Sequence, residues 1–307
     1  MSVIGIDTSN YTTSIAFFDG IGGVNCSKLL PVKQGELGLR QSDAVFAHTK
    51  SLPELSGRLF SHVSAKDITA VGVSTRPRAV DGSYMPCFMV GYSHASMLAA
   101  CLDVPLIEVS HQQGHVAASL WSANRLELMD QPHLAWHLSG GTTELLLIEP
   151  DGKNVICTKI GGTSDISAGQ LIDRTGQLLQ LPFPSGKHLD VLSREAVMKD
   201  IFKVKCHQMT FSLSGVQNKV QQFHAANPVP AETAAYALRC VAKAVYLATE
   251  QALKEYPGLP VVFSGGVASN SMLREVIAPL NPIFSEPQFS TDNAMGVAVL
   301  AHRSQEA

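Results

Sequence analysis

The sequence predicts an α/β fold in which sheets are covered by helices. In the first half of the chain, apolar strand patterns alternate with helix patterns, which is typical of such layered folds. A strand, a polar turn and a second strand open the chain at residues 3–19, and the same plan returns at residues 134–152. These two strand–turn–strand units indicate a weak internal repeat, with one unit opening each half of the chain.

After the first repeat unit, we expect a helix at residues 41–63, a strand at 70–74, a buried helix at 87–102 and a strand at 104–109. The run Arg76-Pro77-Arg78 leads into an Asp-Gly pair, so it is predicted to be a loop. Residues that follow the strand at 104–109 then lie at its C-terminal end, where open α/β sheets bind ligands.

In the second half, we expect helices at residues 168–179, 212–223 and 230–256, then a strand from 260 and a helix from 272. The turn Pro182-Phe183-Pro184-Ser185-Gly186 interrupts the pattern after the first of them. The strand from 260 runs into Ser264-Gly265-Gly266 and then a helix N-terminus, an arrangement that binds nucleotides in many folds. Alone it is a weak signal, because such junctions also serve packing.

Composition excludes several broad classes of protein. The chain has 307 residues, 45% of them hydrophobic, which is enough for two ordinary domains or one large one. A net charge of −3 lacks the basic excess of an autonomous nucleic-acid binder, although a local basic patch stays open. The six cysteines are scattered without a Cys-x-x-Cys pair, so we expect free thiols in a reducing compartment. Without a signal-peptide pattern or a membrane-length apolar run, the predicted location is the cytoplasm.

Two histidines four residues apart, His111 and His115, follow the strand at 104–109. On a helix, positions i and i+4 share one face, so both imidazoles can reach one metal ion. The alternative is that His111 ends the strand and His115 packs against the small residues after it. For a histidine pair without a third ligand, the packing alternative is favoured.

The polar turns of the two repeat units, Asp7-Thr8-Ser9 and Ser139-Gly140-Gly141-Thr142, are candidate anion sites. Small hydroxyl and glycine residues at a turn leave backbone N–H groups able to face an anion. Two such turns facing each other would hold a phosphate from both sides. The alternative is two ordinary hairpins.

Several motifs occur in a fixed order along nearly the whole chain. They are Gly5-Ile6-Asp7-Thr8-Ser9, Val109-Ser110-His111 to His115, Leu138-Ser139-Gly140-Gly141-Thr142-Thr143, Ala168-Gly169-Gln170-Leu171-Ile172-Asp173-Arg174, Phe183-Pro184-Ser185-Gly186, Phe211-Ser212-Leu213-Ser214-Gly215, Ser264-Gly265-Gly266-Val267-Ala268-Ser269-Asn270 and Ser290-Thr291-Asp292-Asn293-Ala294. Together they resemble the universal tRNA threonylcarbamoyladenosine synthase subunit family of the TsaD/Gcp type, formerly labelled a glycoprotease of peptidase family M22. With this resemblance, the histidine pair is interpreted as a metal site.

The resemblance implies an actin/Hsp70/sugar-kinase-like fold, with two α/β halves and a nucleotide and metal cleft between them. The halves are expected at 1–130 and 131–307, with the last helix, at about 292–304, packing back on the first half.

The resemblance also implies the site residues. His111, His115 and Asp292 would hold one divalent metal ion, iron or zinc, at a site that faces solvent. Asp7, Thr8 and Ser9 would form a phosphate turn. The residues expected to line the adenylate pocket are Leu138, Ser139, Gly140, Gly141, Thr142, Asp173, Gly186, Asp190, Gly265, Gly266 and Asn270. Asp173 and Asp190 would accept hydrogen bonds from ribose or substrate hydroxyls; the alternative for each is a helix-end charge or cap.

The implied activity is transfer of the threonylcarbamoyl group from threonylcarbamoyl-AMP to the adenosine next to the anticodon in tRNA. ATP, AMP or threonylcarbamoyl-AMP is the expected ligand, and no catalytic side chain is expected beyond the metal site. The expected partners are tRNA, reached through partner proteins, and proteins of the TsaB, TsaE and TsaC types, with no membrane. A protease is disfavoured, because the segment lacks the Glu of His-Glu-x-x-His.

The chain departs from the family pattern at several positions. Asn10-Tyr11-Thr12-Thr13 stands where the family usually has Cys-Asp-Glu-Thr, and Arg76-Pro77-Arg78 replaces a Gly-Pro-Gly loop. Thr142 replaces a histidine and Gln170 a glutamate. These changes leave two alternatives open: a divergent paralogue that acts as an ATP-using or carbamoyl-transferring enzyme on another acceptor, or a non-enzymatic scaffold partner of the synthase.

Overall fold

The computed structural model describes residues 1–9, 11–31, 39–198, 203–290 and 294–306. The chain divides into two compact units. Unit 1 comprises Met1–Gln131, Glu149–Cys157 and Asp292–Ala307, and unit 2 comprises Pro132–Ile148 and Thr158–Thr291. Each unit has its own sheet with helices packed on it, which confirms the predicted α/β class.

The strands follow the predicted order, with additions. They are β1 (Ser2–Asp7), β2 (Thr12–Phe18), β3 (Gly23–Leu29), β4 (Ile68–Arg76), β5 (Leu106–Ser110), β6 (His133–Leu138), β7 (Thr143–Asp151), β8 (Asn154–Thr163), β9 (Cys206–His207), β10 (Thr210–Phe211), β11 (Val261–Ser264) and β12 (Ile283–Phe284). The sequence does not predict β3, because its residues lack the apolar alternation of a strand. In the structure only Cys26 of that strand is buried.

The helices also match the sequence patterns within a few residues. They are α1 (Gln41–Phe60), α2 (Phe88–Leu102), α3 (His111–Ser122), α4 (Ala168–Leu178), α5 (Gly186–Ser193), α6 (Ser214–Ala226), α7 (Pro230–Glu255), α8 (Ser271–Ile277) and α9 (Met295–Arg303). The short helix α5 was not predicted. In the part of the chain that is described, no helix combines the length and apolar character needed to cross a bilayer. The six cysteines are free thiols, as expected.

In unit 1 the sheet has the strand order β3-β2-β1-β4-β5 and carries helices on both faces. Ile4 and Ile6 of β1 belong to an apolar cluster with residues of α1 and α2. Gly5 lies between them and contacts α9, since a Cβ on Gly5 would lie 2.5 Å from the carbonyl oxygen of Ala294. Neighbouring residues of a strand point to opposite faces, so α9 covers the face opposite to α1 and α2.

In unit 2 the strand order is β12-β11-β6-β7-β8-β10-β9. β6 pairs antiparallel with β7 and parallel with β11, just as β1 pairs antiparallel with β2 and parallel with β4. The internal repeat that the sequence indicates is therefore present in the strand pairing. The fully buried Trp136 of β6 donates a hydrogen bond from Nε1 to Thr249 Oγ1 of α7, at 2.9 Å, and stacks near Phe263 of β11.

His48 on α1 is a fully buried histidine in unit 1. Its Nδ1 lies 2.8 Å from Thr13 Oγ1, and among the described residues its Nε2 has no hydrogen-bond partner. Burial lowers the pKa of His48 from 6.5 to about 4, and the charge of Asp7 opposes this only in part. The folded protein therefore keeps His48 neutral at pH values where the unfolded chain takes up a proton.

This histidine predicts a loss of stability in mild acid. A depressed folded pKa gives stability that is complete above 6.5 and is lost as the pH falls towards about 4. Between pH 7.5 and 4.5, His48 should lower the free energy of unfolding by about 2 to 3 kcal/mol. Urea unfolding at several pH values should show a shallower dependence for His48→Gln than for wild type. Thr13→Val, which keeps the histidine, should retain the wild-type slope; parallel slopes for all three proteins would contradict the assignment.

Candidate functional site

The site in unit 1 lies at the carboxyl edge of its sheet. β1 ends at Asp7, and β5 ends at Ser110, directly before His111 opens α3. β4 lies between these strands and pairs parallel with both, so all three carboxyl ends meet at one edge. The histidine pair therefore follows a strand end, as predicted.

A capping box determines where α3 begins. The backbone N–H of Gln113 donates to Ser110 Oγ at 3.3 Å, and the backbone N–H of Ser110 donates to Gln113 Oε1 at 2.8 Å. Gln113 Nε2 also donates to the carbonyl oxygen of Val155, at 2.8 Å. Because His111 lies inside this box, its backbone position is well determined.

The two imidazoles converge. The Nε2 atoms of His111 and His115 are 2.9 Å apart, and their rings meet edge to face with centroids 4.3 Å apart. The expectation that the pair faces solvent is wrong for His115, which is only 6% exposed. The reason is that α9 packs against α3 close to this residue: a Cβ on Gly296 would overlap the carbonyl oxygen of Gly114.

The other ring nitrogen of His111 contacts Asp7. Nδ1 lies 3.1 Å from Asp7 Oδ1, and Asp7 is fully buried. The same Oδ1 accepts a hydrogen bond from Ser74 Oγ, and Oδ2 accepts one from Ser9 Oγ at 2.6 Å. Burial raises the pKa of Asp7, but the charge of His111 and these hydrogen bonds together outweigh it and hold the pKa below its usual range. Asp7 is therefore an ionised carboxylate that accepts the Nδ1–H of His111.

These residues fit a divalent metal ion. In its neutral form, with the proton on Nδ1, His111 carries its lone pair on Nε2, the atom that faces His115. Two imidazole nitrogens that converge in this way are suitable ligands for zinc or iron. Asp292, the predicted third ligand, lies outside the described residues, as does Asn10 of the first turn. Within the described ranges, no group of three or more His, Cys, Asp or Glu side chains is arranged to hold a metal.

The side chains of the predicted phosphate turn bind groups inside unit 1. Thr8 Oγ1 donates to the carbonyl oxygen of Cys87 at 2.9 Å and accepts from the backbone N–H of Gly91 at 3.0 Å. Ser9 donates to Asp7, as described above. If this turn binds a phosphate, its backbone N–H groups must therefore make the contact.

The second polar turn, in unit 2, is tight and open on one side. The backbone N–H of Ser139 donates to the carbonyl oxygen of Thr142 at 2.8 Å, and the N–H of Thr142 donates to Ser139 Oγ at 3.0 Å. A Cβ on Gly140 or Gly141 would meet no atom within 4 Å, so the backbone there borders open space.

The Gly265-Gly266 junction lies against the start of this turn. Gly265 has a φ of +92°, and a Cβ there would lie 2.2 Å from the carbonyl oxygen of Leu138. Only glycine accommodates both the backbone conformation and the close approach. The structure therefore brings together the two glycine-containing segments that the resemblance placed in one pocket.

The remaining predicted pocket residues lie on α5 or are hydrogen-bonded to it or to its N-cap. Asp173 Oδ1 accepts the backbone N–H of Ser185 at 2.8 Å, directly before Gly186 begins the helix, and burial raises the pKa of Asp173. Asp190 Oδ1 accepts from Asn270 Nδ2 at 2.9 Å and from the backbone N–H of Ser271 at 3.0 Å.

Asn270 is also the N-cap of α8, because its Oδ1 accepts the backbone N–H of Leu273 at 3.0 Å. The hydrogen bonds of Asp173 and Asp190 therefore hold helix starts in place, as in the alternative that these residues are helix caps. Asn270 is itself a cap. Their role at a substrate stays a prediction.

Ser74 is a site residue that sequence reasoning missed. It is a fully buried hydroxyl near the end of β4, and it donates to Asp7. The available signal was a polar residue at the C-terminal end of an otherwise apolar strand, which is where ligand-site residues of parallel sheets gather.

Comparison with known proteins identifies the family. Residues 35–299 match the tRNA N6-adenosine threonylcarbamoyltransferase family, TsaD. The chain belongs to this family. Members are acyltransferases that act on tRNA, and the family inferred from the sequence motifs is confirmed. A tRNA N6-adenosine threonylcarbamoyltransferase of Carboxydothermus hydrogenoformans is 31% identical over 319 residues, covering 98% of this chain and 91% of the relative.

Solved structures confirm the actin/Hsp70/sugar-kinase-like fold. Component A of the (R)-2-hydroxyglutaryl-CoA dehydratase of Acidaminococcus fermentans matches with a TM-score of 0.58 and 15% identity, covering 99% of this chain and 98% of that one. A ROK family glucokinase from Streptomyces griseus matches with a TM-score of 0.55 and 10% identity, covering 99% of this chain and 100% of that one. At such identities the likeness establishes the fold alone.

Proposed function

We propose that this protein transfers the threonylcarbamoyl group from threonylcarbamoyl-AMP to the adenosine next to the anticodon in tRNA. One divalent metal, held by His111, His115 and Asp292, would serve the reaction. The observation that carries the proposal is the 2.9 Å approach of the two Nε2 atoms in a chain of this family.

The packing of the C-terminal helix supports Asp292 as the third ligand. Asp292 precedes Ala294 by two residues in the sequence. The backbone N–H of Ala294 donates to Asn25 Oδ1 at 3.2 Å, and α9 then packs on α3, which carries both histidines.

The reaction forms a C–N bond between adenosine N6 and the carbamoyl carbon and breaks the C–O bond to the adenylate phosphate. AMP leaves with the electron pair of that bond, and the proton lost from N6 passes to the leaving phosphate or to solvent. A divalent ion held by His111, His115 and Asp292 would supply Lewis acidity to the carbamoyl carbonyl. No protein nucleophile is required.

The residues of this chain bind and orient the reactants. His111 and His115 present two nitrogens at positions determined by the start of α3. In unit 2, the open backbone at Gly140 and Gly141 suits a phosphate oxygen, since backbone N–H groups at such a turn bind anions. The Gly265-Gly266 junction and the residues around α5 would complete the adenylate pocket.

The test is direct. The protein, tRNA, threonylcarbamoyl-AMP and either Fe²⁺ or Zn²⁺ are incubated with partner proteins of the TsaB and TsaE types, and modified adenosine is measured by mass spectrometry. We expect product with metal present and none after chelation. A tRNA with guanosine in place of the acceptor adenosine serves as control. A metal-loaded protein that forms no product would contradict the proposal.

A second candidate, transfer to another acceptor, is favoured by one observation. Arg76 is exposed and pairs in register with Ser110, the residue directly before His111. The backbone N–H of Gln112 donates to the carbonyl oxygen of Pro77 at 3.0 Å, so the arginine loop passes beside the histidine pair. A guanidinium here suits an acceptor that carries an anionic group. Growth of a strain that lacks its own synthase subunit, when supplied with this protein, would count against this candidate.

A further inference from the structure

We propose that Asp7 is a positioning residue that holds His111 in the orientation and tautomer required for metal binding. The inference rests on the metal site of the proposed function. It assigns Asp7 a task different from that of a phosphate contact, which the motif at the start of the chain suggests.

Burial excludes direct contact between Asp7 and a substrate. The residue has no exposed surface, and its carboxylate oxygens are taken up by protein groups. His111 is the ring that it meets: Oδ1 lies 3.1 Å from Nδ1, across 104 residues of sequence. A fully buried carboxylate at this distance from an imidazole nitrogen orients that ring directly.

The carboxylate is itself held from two directions. Ser74 Oγ, from the neighbouring strand β4, donates to Oδ1, and Ser9 Oγ donates to Oδ2 at 2.6 Å. Both hydroxyls supply their own protons, so Asp7 acts as an acceptor throughout. The proton between Asp7 and His111 therefore belongs to Nδ1 of the imidazole.

The position of this proton determines which nitrogen of His111 can bind a metal. An imidazole with its proton on Nδ1 has its lone pair on Nε2, and this is the atom that faces Nε2 of His115 at 2.9 Å. Metal-binding histidines generally donate their second ring N–H to a carboxylate or carbonyl, which determines both tautomer and orientation. Without Asp7, the ring of His111 would lose the contact that selects this state.

The test compares Asp7→Asn with wild type in two measurements. Binding of Co²⁺ and Zn²⁺ is titrated against a competing chelator, and ring ¹⁵N shifts report the tautomer of His111 in metal-free protein. We expect Asp7→Asn to bind both ions about 10- to 100-fold more weakly and to lose the Nδ1–H tautomer. Asp103→Asn is the matched control, because it makes the same chemical change at an exposed aspartate of unit 1. Asp103 has a φ of +54°, a conformation that asparagine also adopts. The metal affinity of this control variant should stay within about threefold of wild type. That change is much smaller than the one expected when a hydrogen-bond partner of His111 is replaced.

The outcomes separate the two proposals. If wild type binds Co²⁺ and Zn²⁺ and Asp7→Asn binds them equally well with the same tautomer, the role of Asp7 is overturned while the metal site stands. If wild type binds neither ion, the metal-dependent function fails, and the role of Asp7 with it. If Asp7→Asn does not fold, Ser74→Ala is used for the same test, because it removes the hydroxyl that donates to Asp7 Oδ1. Its Co²⁺ binding should weaken by more than about threefold, and an unchanged affinity would overturn the proposal.

Discussion

Replacing His115 with glutamine should remove the bound metal and abolish transfer while the protein stays folded. The change deletes one of the proposed ligands, and loss of a ligand should weaken metal binding by at least about 100-fold. Glutamine is chosen because His115 is only 6% exposed, and alanine would add a cavity to the loss of the ligand. Metal content, product formation and a thermal melt are measured on the same preparations.

His62→Gln provides the matched control, because His62 is an exposed histidine of the same unit. It should keep wild-type metal content and activity. Full metal occupancy in His115→Gln would place the site elsewhere. If His115→Gln unfolds even when wild type is stable without metal, the alternative of a packed core histidine is correct.

Gly296→Ala adds one methyl group and should destabilise unit 1 more than any other such substitution that we propose. A Cβ at this position would lie 1.8 Å from the carbonyl oxygen of Gly114 and 2.7 Å from the backbone nitrogen of Ala118. Both are backbone atoms of α3, so α3 and α9 would have to separate. We expect the free energy of unfolding, measured in urea, to fall by about 3 kcal/mol. Metal affinity should fall as well, because α3 carries both histidines.

Gly57→Ala is the same chemical change with the opposite expected sign. Gly57 lies inside α1, and a Cβ there would meet no atom within 4 Å. Alanine favours the helix over glycine by about 1 kcal/mol, so this variant should be more stable than wild type. Equal effects of the two substitutions on stability would show that the contact between α9 and α3 is looser than described.

The sequence by itself determined the local features of this protein. Polar turns between apolar strands predicted both repeat units, and the four-residue spacing of His111 and His115 predicted a shared helix face. Serine–glutamine capping boxes open both α3 and α4, so residues close together in the sequence determine where these helices begin. The ordered motifs were sufficient for the family. All of these are short-range patterns, set by helix and strand periods and by which side chains satisfy a helix end.

Only the tertiary structure decided which distant residues meet. Asp7, Ser74 and His111 come together because β1, β4 and β5 are neighbouring parallel strands of one sheet, and strand order follows from packing of the whole unit. The burial of His115 depends on α9, which returns from the far end of the chain, and the links from Asp190 to Asn270 and Ser271 span about 80 residues. β3 is stabilised by its pairing with β2, since its own residues carry little apolar pattern. Contacts of this kind depend on chain segments that share no local period, so their partners emerge only when the sheets and helices pack.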